Sequence, residues 1–283
     1  MSEQKNKKLN FVFFGTPDVA SETLEILKQG GYVPNLIVTS PDKPQGRKML
    51  IIPPPVKVWA IDNNIPYIQP EQLSEKKLIG NFDLFIVVAY GKIIPANILN
   101  IPKLGSINIH YSLLPKYRGA SPVESAILNG DLETGVTIQK MAYKMDSGPI
   151  IAQVRVEIFL NEKAEELRKN LIQVGGELLV KTLPDFITGK ITPTPQDENR
   201  ATYCTKIKKE DGLINLNNDG YLNYSKFKAY ATWPRTFFFQ NGKRVIITDA
   251  ALSDDNKFII KKVIPEGKKE MSFEDFQKNQ MRA

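Results

Sequence analysis

An α/β fold with a doubly wound, mostly parallel sheet, followed by a smaller β module, is the architecture this sequence predicts. Three observations predict it. The chain opens on a β-α-β pattern. Short continuous apolar runs, the clearest at 84–89, are bounded by turn residues, as strands buried on both faces are. Past residue 209 the pattern changes to short strands separated by turns. With 283 residues, 42% hydrophobic and 24% charged, the chain can bury a sizeable core in one large domain or two unequal ones.

Residues 9–15 (Leu-Asn-Phe-Val-Phe-Phe-Gly) read as the first buried strand. Thr16-Pro17 offers an N-cap and a proline at the first helical position. A helix follows to Gln29 with Val19, Leu24 and Leu27 as its apolar stripe, and Gly30-Gly31 ends it. Residues 36–39 form the second strand. The stretch 40–55 is longer than an αβ connection needs and carries Lys43, Arg47 and Lys48, then apolar residues 49–52, then three prolines. It reads as a functional loop. A helix is expected over 56–63, strands over 84–89 and 105–110, and a helix over 120–129. Residues 135–141 and 149–158 read as paired strands around the turn 144–148. A long helix is expected over 163–188, with Leu167, Leu171, Val174 and Leu178 on one stripe. Gly175-Gly176 inside it costs helix stability, so close packing is the expected reason. Residues 189–209, rich in Pro, Thr and Lys, read as a linker. Short strands at 213–216, 236–239, 244–248 and 258–262, a helix at 221–230 and the Asn241-Gly242 hairpin turn complete the chain. The organisation is thus a catalytic domain over 1–190, a linker over 191–209 and a β domain over 210–283.

Composition narrows the chemistry. One cysteine, Cys204, excludes an internal disulfide and a cysteine-based zinc site, and with a single histidine only carboxylates and carbonyls remain as metal ligands. No apolar run reaches membrane-spanning length, and the Lys-rich residues 1–10 lack a signal-peptide core. A soluble cytoplasmic protein, a monomer without a membrane partner, is expected. Of the net charge of +7, residues 200–283 hold +6. A basic module beside a near-neutral one points to a polyanion, nucleic acid first.

The single histidine, His110, stands in the run Ile107-Asn108-Ile109-His110. Alternation on a strand places Asn108 and His110 on one face, at the end of a strand, where α/β folds put their chemistry. An amide donates a hydrogen bond without titrating, and an imidazole moves protons near neutral pH. A catalytic histidine is oriented by a carboxylate at its other ring nitrogen. Asp146, in the turn between two strands and beside Ser147-Gly148, is the candidate, although an aspartate there also serves turn chemistry.

The pattern Asn108-x-His110-x-Ser112-Leu113-Leu114-Pro115, followed by Gly119, resembles the signature of the folate-dependent formyltransferase family. Further blocks fall in the family's order: Gly15-Thr16-Pro17-Asp18, Val87-Val88-Ala89-Tyr90-Gly91, Ala120-Ser121-Pro122, Thr134-Gly135-Val136-Thr137 and Met145-Asp146-Ser147-Gly148. The resemblance covers residues 9–190 and implies a Rossmann-like formyltransferase domain with 10-formyltetrahydrofolate as formyl donor and no metal. It implies that Asn108 and His110 stabilise the developing formyl oxyanion while Asp146 holds the imidazole and relays protons, directly or through water. It also implies a folate pocket made by Val88, Ala89, Tyr90 and Gly91 with Ser112, Leu113, Leu114 and Pro115.

Ser40-Pro41-Asp42-Lys43-Pro44, Gly46-Arg47 and Pro54-Pro55-Val56-Lys57 are similar to the inserted loop of those family members that formylate methionyl initiator tRNA. Trp233-Pro234 and Gly267-Lys268-Lys269 resemble their OB-like C-terminal β-barrel. The resemblance therefore implies initiator Met-tRNA as partner, with Lys43, Arg47 and Lys48 of the insert and Lys206, Lys208 and Lys209 of the linker as phosphate contacts. A formyltransferase of the same fold acting on a sugar-nucleotide amine is the alternative; it needs neither the basic insert nor the basic tail. Two features depart from the family pattern. Tyr111 replaces a small residue or proline and is expected to point away from His110. The C-terminal region has room for only a shortened barrel.

Overall fold

The computed structural model describes residues 9–46 and 49–281. The chain folds into two compact units. The first takes the described chain up to Lys116, then Gly135–Arg155 and Leu171–Ala201; the second takes Tyr117–Thr134, Val156–Asn170 and the described chain from Thr202 onward.

The elements follow in order. β1 (Phe11–Gly15) is buried throughout, and α1 (Asp18–Gln29) follows it. Pro17, not Thr16, holds the N-cap position, and Asp18 sits in the positive first turn. The Thr16 hydroxyl instead donates to the Tyr90 carbonyl at 3.0 Å. After β2 (Leu36–Val38), the long connection folds into a two-stranded antiparallel ribbon, β3 (Lys43–Gln45) and β4 (Leu50–Ile52). Then come α2 (Pro55–Asp62), β5 (Tyr67–Ile68), β6 (Leu84–Val88), α3 (Ala96–Leu99), β7 (Ser106–His110), β8 (Arg118–Gly119), α4 (Pro122–Leu128), β9 (Glu133–Lys140), β10 (Ile150–Glu157) and α5 (Ala164–Ile187). The rest comprises β11 (Tyr203–Cys204), α6 (Gly220–Ala229), β12 (Phe237–Gln240), β13 (Lys243–Leu252), β14 (Phe258–Pro265), β15 (Met271–Ser272) and α7 (Phe273–Met281).

The main sheet runs β10-β9-β7-β6-β1-β2-β5. Strands β5, β2, β1, β6 and β7 are parallel, and β9 joins β7 antiparallel. Alternation along β1 splits the core. Val12 and Phe14 join Phe85, Val87, Tyr90, Ile98 and Leu99 in one buried cluster. On β7 the odd residues pack the other way. Gly175 of α5 lies so close to Ile109, Val136 and Tyr111 that an added Cβ would sit 3.1–3.5 Å from their side chains. Gly176 lets Ile26 of α1 approach within 2.7 Å of the same position. The two glycines therefore give up helix propensity, about 1 kcal/mol each, for close helix packing. Tyr111 turns to this face, away from His110, as expected.

In the second unit β12, β13, β14 and β15 form a four-stranded antiparallel sheet over a core that includes Tyr224, Phe227, Phe238, Val245, Val263 and Phe276. Asn241 and Gly242 take φ of 51° and 72°, the conformation a tight hairpin demands. The strand expected at 213–216 is reduced to a single bridge, Leu213 to Phe237. Among the described residues the sheet thus keeps β12 and β15 as edges and is shorter than a five-stranded barrel. No helix among the described residues is long and apolar enough to cross a membrane.

Candidate active site

The site stands at the carboxyl ends of β6 and β7, both within the first unit. Val87 pairs with Asn108 in parallel register; across the antiparallel pair Asn108 faces Gln139 and His110 faces Thr137. Directly opposed residues share a sheet face. Asn108, His110, Thr137 and Gln139 therefore form one polar patch, on the face opposite Ile109 and α5. His110 is 5% exposed and Asn108 is half-buried.

Asp146 is brought to this patch. Its Oδ2 lies 3.6 Å from His110 Nδ1. That is longer than a hydrogen bond and shorter than a water bridge. The carboxylate is held at its other oxygen, because Gln139 Nε2 donates to Asp146 Oδ1 at 2.9 Å. The turn is held by Gln196, whose Nε2 donates to the backbone oxygens of Asp146 at 2.9 Å and Gly148 at 2.7 Å. Asp146 itself has φ 49°, a left-handed conformation that aspartate tolerates better than most residues. Gly148 lies against the end of β9: a Cβ there would fall 1.6 Å from the Lys140 carbonyl oxygen. With Nδ1 facing a carboxylate, the ring can accept a proton at Nε2 and donate it back, and Asn108 supplies a neutral donor on the same face. Among the described residues, no cluster of three or more His, Cys, Asp or Glu is arranged to hold a metal ion.

The residues expected to line the folate pocket occupy two neighbouring turns of this unit. Ala89 and Gly91 take φ of 46° and 77°, which bends the chain sharply after β6. Val88 is fully buried, and the Tyr90 ring packs on Phe14 at 5.5 Å. What this turn offers a ligand is therefore backbone at 89–91. The 112–115 turn is braced from below. Thr137 Oγ1 donates to the Ser112 carbonyl at 2.6 Å and accepts from the Leu114 amide at 3.2 Å. Gln153 Nε2 donates to Thr137 Oγ1 at 2.7 Å and to the Leu114 carbonyl at 3.1 Å. The Ser112 hydroxyl, fully buried, donates to the Lys116 carbonyl at 2.6 Å. Ser112 and Leu114 hold the turn, while Leu113 and Pro115 remain partly exposed.

Lys43 is exposed on β3 in the first unit, and Lys206, Lys208 and Lys209 are exposed in the second. Arg47 and Lys48 lie outside the described residues. Beside them Met49, Leu50, Ile51 and Ile52 are 41–72% exposed, an unusual run for a monomer surface.

Sequence reasoning missed Gln139, Gln196, Thr137 and Gln153. The signal for two of them was present: Thr137 and Gln139 alternate with apolar residues along β9, on the face that β7 gives to Asn108 and His110. Gln196 falls in the stretch read as a linker, which a bridge between Ile150 and Thr194 ties to the first unit. Replacing Gln196 by Leu removes both donors to the Asp146 turn. The expected result is a kcat lowered about tenfold with little change in KM, since misplacement of a candidate catalytic group falls on the rate. Steady-state kinetics check it.

The formyl transferase family pattern matches residues 7–183. The methionyl-tRNA formyltransferase of Staphylococcus aureus (strain MW2) is 39% identical over 251 residues, covering 87% of this chain and 80% of its own. Among solved structures, the N-formyltransferase of Helicobacter canadensis, in complex with folinic acid and dTDP-3-aminofucose, superposes with a TM-score of 0.66 at 21% identity, covering 87% of this chain and 88% of its own. The methionyl-tRNA formyltransferase of Clostridium thermocellum gives 0.62 at 18% identity, covering 91% and 98%.

Proposed function

The chain belongs to the formyl transferase family, and from that premise we propose that it transfers the formyl group of 10-formyltetrahydrofolate to the α-amino group of methionyl initiator tRNA. The product, N-formylmethionyl-tRNA, serves translation initiation. The relatives at 37–40% identity, all named methionyl-tRNA formyltransferase, support this acceptor. The folinic acid in the Helicobacter canadensis protein supports a folate-derived donor.

The observation that carries the reading is the shared face of Asn108 and His110 with Asp146 behind the ring. The neutral amine attacks the formyl carbon and a tetrahedral oxyanion forms. Asn108 donates to that oxygen throughout, and protonated His110 adds a second, charge-assisted donor. The new C–N bond forms, the bond from carbon to N10 of the folate breaks, and N10 takes up the proton that the amine gives up. Asp146 and His110 relay that proton. The turns at 88–91 and 112–115 hold the folate, and the exposed lysines take phosphates.

The test is an assay with 10-formyltetrahydrofolate and charged initiator tRNA, with a nucleotide-linked amino sugar as control amine. Formylation of Met-tRNA that weakens steeply with salt is expected. Efficient formylation of the amino sugar without use of Met-tRNA would overturn the reading. Replacing Lys43, Arg47 and Lys48 together by Ala is expected to raise the KM for Met-tRNA about 10- to 100-fold and to lower the salt slope by about two to three. Unaltered tRNA kinetics remove the insert from recognition.

A further inference from the structure

We propose that Asp42 is a positioning residue: with Lys57 and Gln69 it clamps the neck of the β3–β4 ribbon and so sets the direction in which the ribbon projects. Resting on the tRNA reading above, the clamp acts on capture of the tRNA and not on the chemical step.

The ribbon cannot fix its own direction. It holds three residue pairs, Lys43–Ile52, Pro44–Ile51 and Gln45–Leu50, and Met49, Leu50, Ile51 and Ile52 are exposed. A two-stranded ribbon of that length is marginal on its own. Its orientation must come from where it leaves the sheet and where it returns.

Both ends meet at one carboxylate. Asp42 stands immediately before β3, and Lys57 stands in α2, past Pro53, Pro54 and Pro55, which stiffen the return. Lys57 Nζ lies 2.6 Å from Asp42 Oδ2. Gln69 Nε2 donates to Asp42 Oδ1 at 2.6 Å and to the Ser40 carbonyl at 2.8 Å. Gln69 follows β5, the edge strand, so the carboxylate is tied to the sheet at one oxygen and to α2 at the other. The Lys57 ammonium also lies 5.8 Å from the centre of the Tyr67 ring. Hydrogen bonds from Gln69 and Lys57 hold the Asp42 carboxyl below the usual carboxylate range, so it is charged at neutral pH. An exposed pair of opposite charges fixes little, but these three side chains are half-buried and the carboxylate is bonded at both oxygens. Beside them Ser40 Oγ and Thr16 Oγ1 are 3.1 Å apart, and the Thr16 hydroxyl donates to the Tyr90 carbonyl at 3.0 Å. The neck is thereby anchored to the ends of the central strands.

The sign of the effect separates a clamp from a charge. Asp42 is the one carboxylate in 40–57, among Lys43, Arg47, Lys48 and Lys57. If only the field of the insert mattered, removing Asp42 would strengthen the attraction for a polyanion. A clamp predicts the reverse.

Asp42→Ala is assayed for Met-tRNA formylation with tRNA and folate varied separately. Melting temperature checks folding, and amide hydrogen exchange in β3 and β4 reads the ribbon itself. The tRNA KM is expected to rise about tenfold and the ribbon amides to exchange about tenfold faster, while kcat and the folate KM stay within about threefold. Lys57→Met is expected to raise the tRNA KM as well, and the double variant to cost no more than the larger single, because the pair acts as a unit. Should Asp42→Ala fail to fold, Asp42→Asn, which keeps the size of the side chain, takes its place with the same direction of change. A tRNA KM that falls, or stays within about twofold, in the folded variant overturns the positioning role, whatever the ribbon exchange. Additive effects of Asp42→Ala and Lys57→Met overturn the pair as its basis. If the unsubstituted protein does not use Met-tRNA, the functional reading fails, while unchanged ribbon exchange in Asp42→Ala would still overturn the clamp.

Discussion

Replacing His110 by alanine lowers kcat by about 100- to 10,000-fold, with tRNA affinity held within about twofold. Two contributions make the effect large. In the proposed reaction the ring carries a proton, and when protonated it is one of the donors to the formyl oxygen. It is also the chain's one histidine, so no second imidazole can substitute. The loss falls on the rate because the lysines proposed to hold tRNA lie on β3 and in 206–209, away in sequence from this strand end. Asp146→Asn is expected to cost less than His110→Ala, since it leaves a ring that still donates but removes the carboxylate 3.6 Å behind it. Combining the two should cost little more than His110→Ala alone, because groups that act as a unit are non-additive. Single-turnover rates at saturating Met-tRNA, with tRNA binding measured directly, decide the matter. A His110→Ala rate within threefold of the unsubstituted protein would remove the imidazole from the reaction.

The parts of this arrangement that follow from local pattern were legible in the sequence. Apolar runs at 11–15 and 84–88 have little choice but to become central strands, and the alternation Ile107-Asn108-Ile109-His110 separates a packed face from a chemical one. Gly175-Gly176 announced close helix packing, and Ile26 and Ile109 supply the partners. What escaped was whatever depends on a partner distant in the chain. β5 exists because β2 offers it an edge; Tyr67 and Ile68 are strand-favouring types, but two residues are too short a run to mark a strand. The 213–216 strand collapses to one bridge because only Leu213 reaches Phe237. The Gln196 side chain acts on the 146–148 backbone, and nothing in the 191–209 composition marks that contact.

Gly148→Ala is expected to reduce kcat about 100-fold without touching any group that reacts. The argument is spatial. The added methyl would lie 1.6 Å from the Lys140 carbonyl oxygen, 2.8 Å from its carbon and 3.3 Å from the Ala142 nitrogen, all of them backbone. No rotamer change relieves such a contact, so the turn must lift from the end of β9. Lifting strains the bond from the Lys140 amide to the Pro149 carbonyl, 2.9 Å, and both bonds from Gln196. Asp146 moves with the turn, and a displacement of about 1 Å at a catalytic group is enough for a 100-fold loss. Ser147→Ala, which removes only a hydroxyl bonded to the Lys144 carbonyl, is the control and should change kcat by no more than about threefold. The His110 ring resonances cannot be confused with any other residue's, and they should move in Gly148→Ala and stay in place in Ser147→Ala. A Gly148→Ala protein that melts normally, keeps its ring signals and retains more than half its turnover would show that the carboxylate is not placed by this approach of two backbones. The hydrogen bond from Gln139 to Asp146 Oδ1 would then be among the contacts that set the position of the carboxylate.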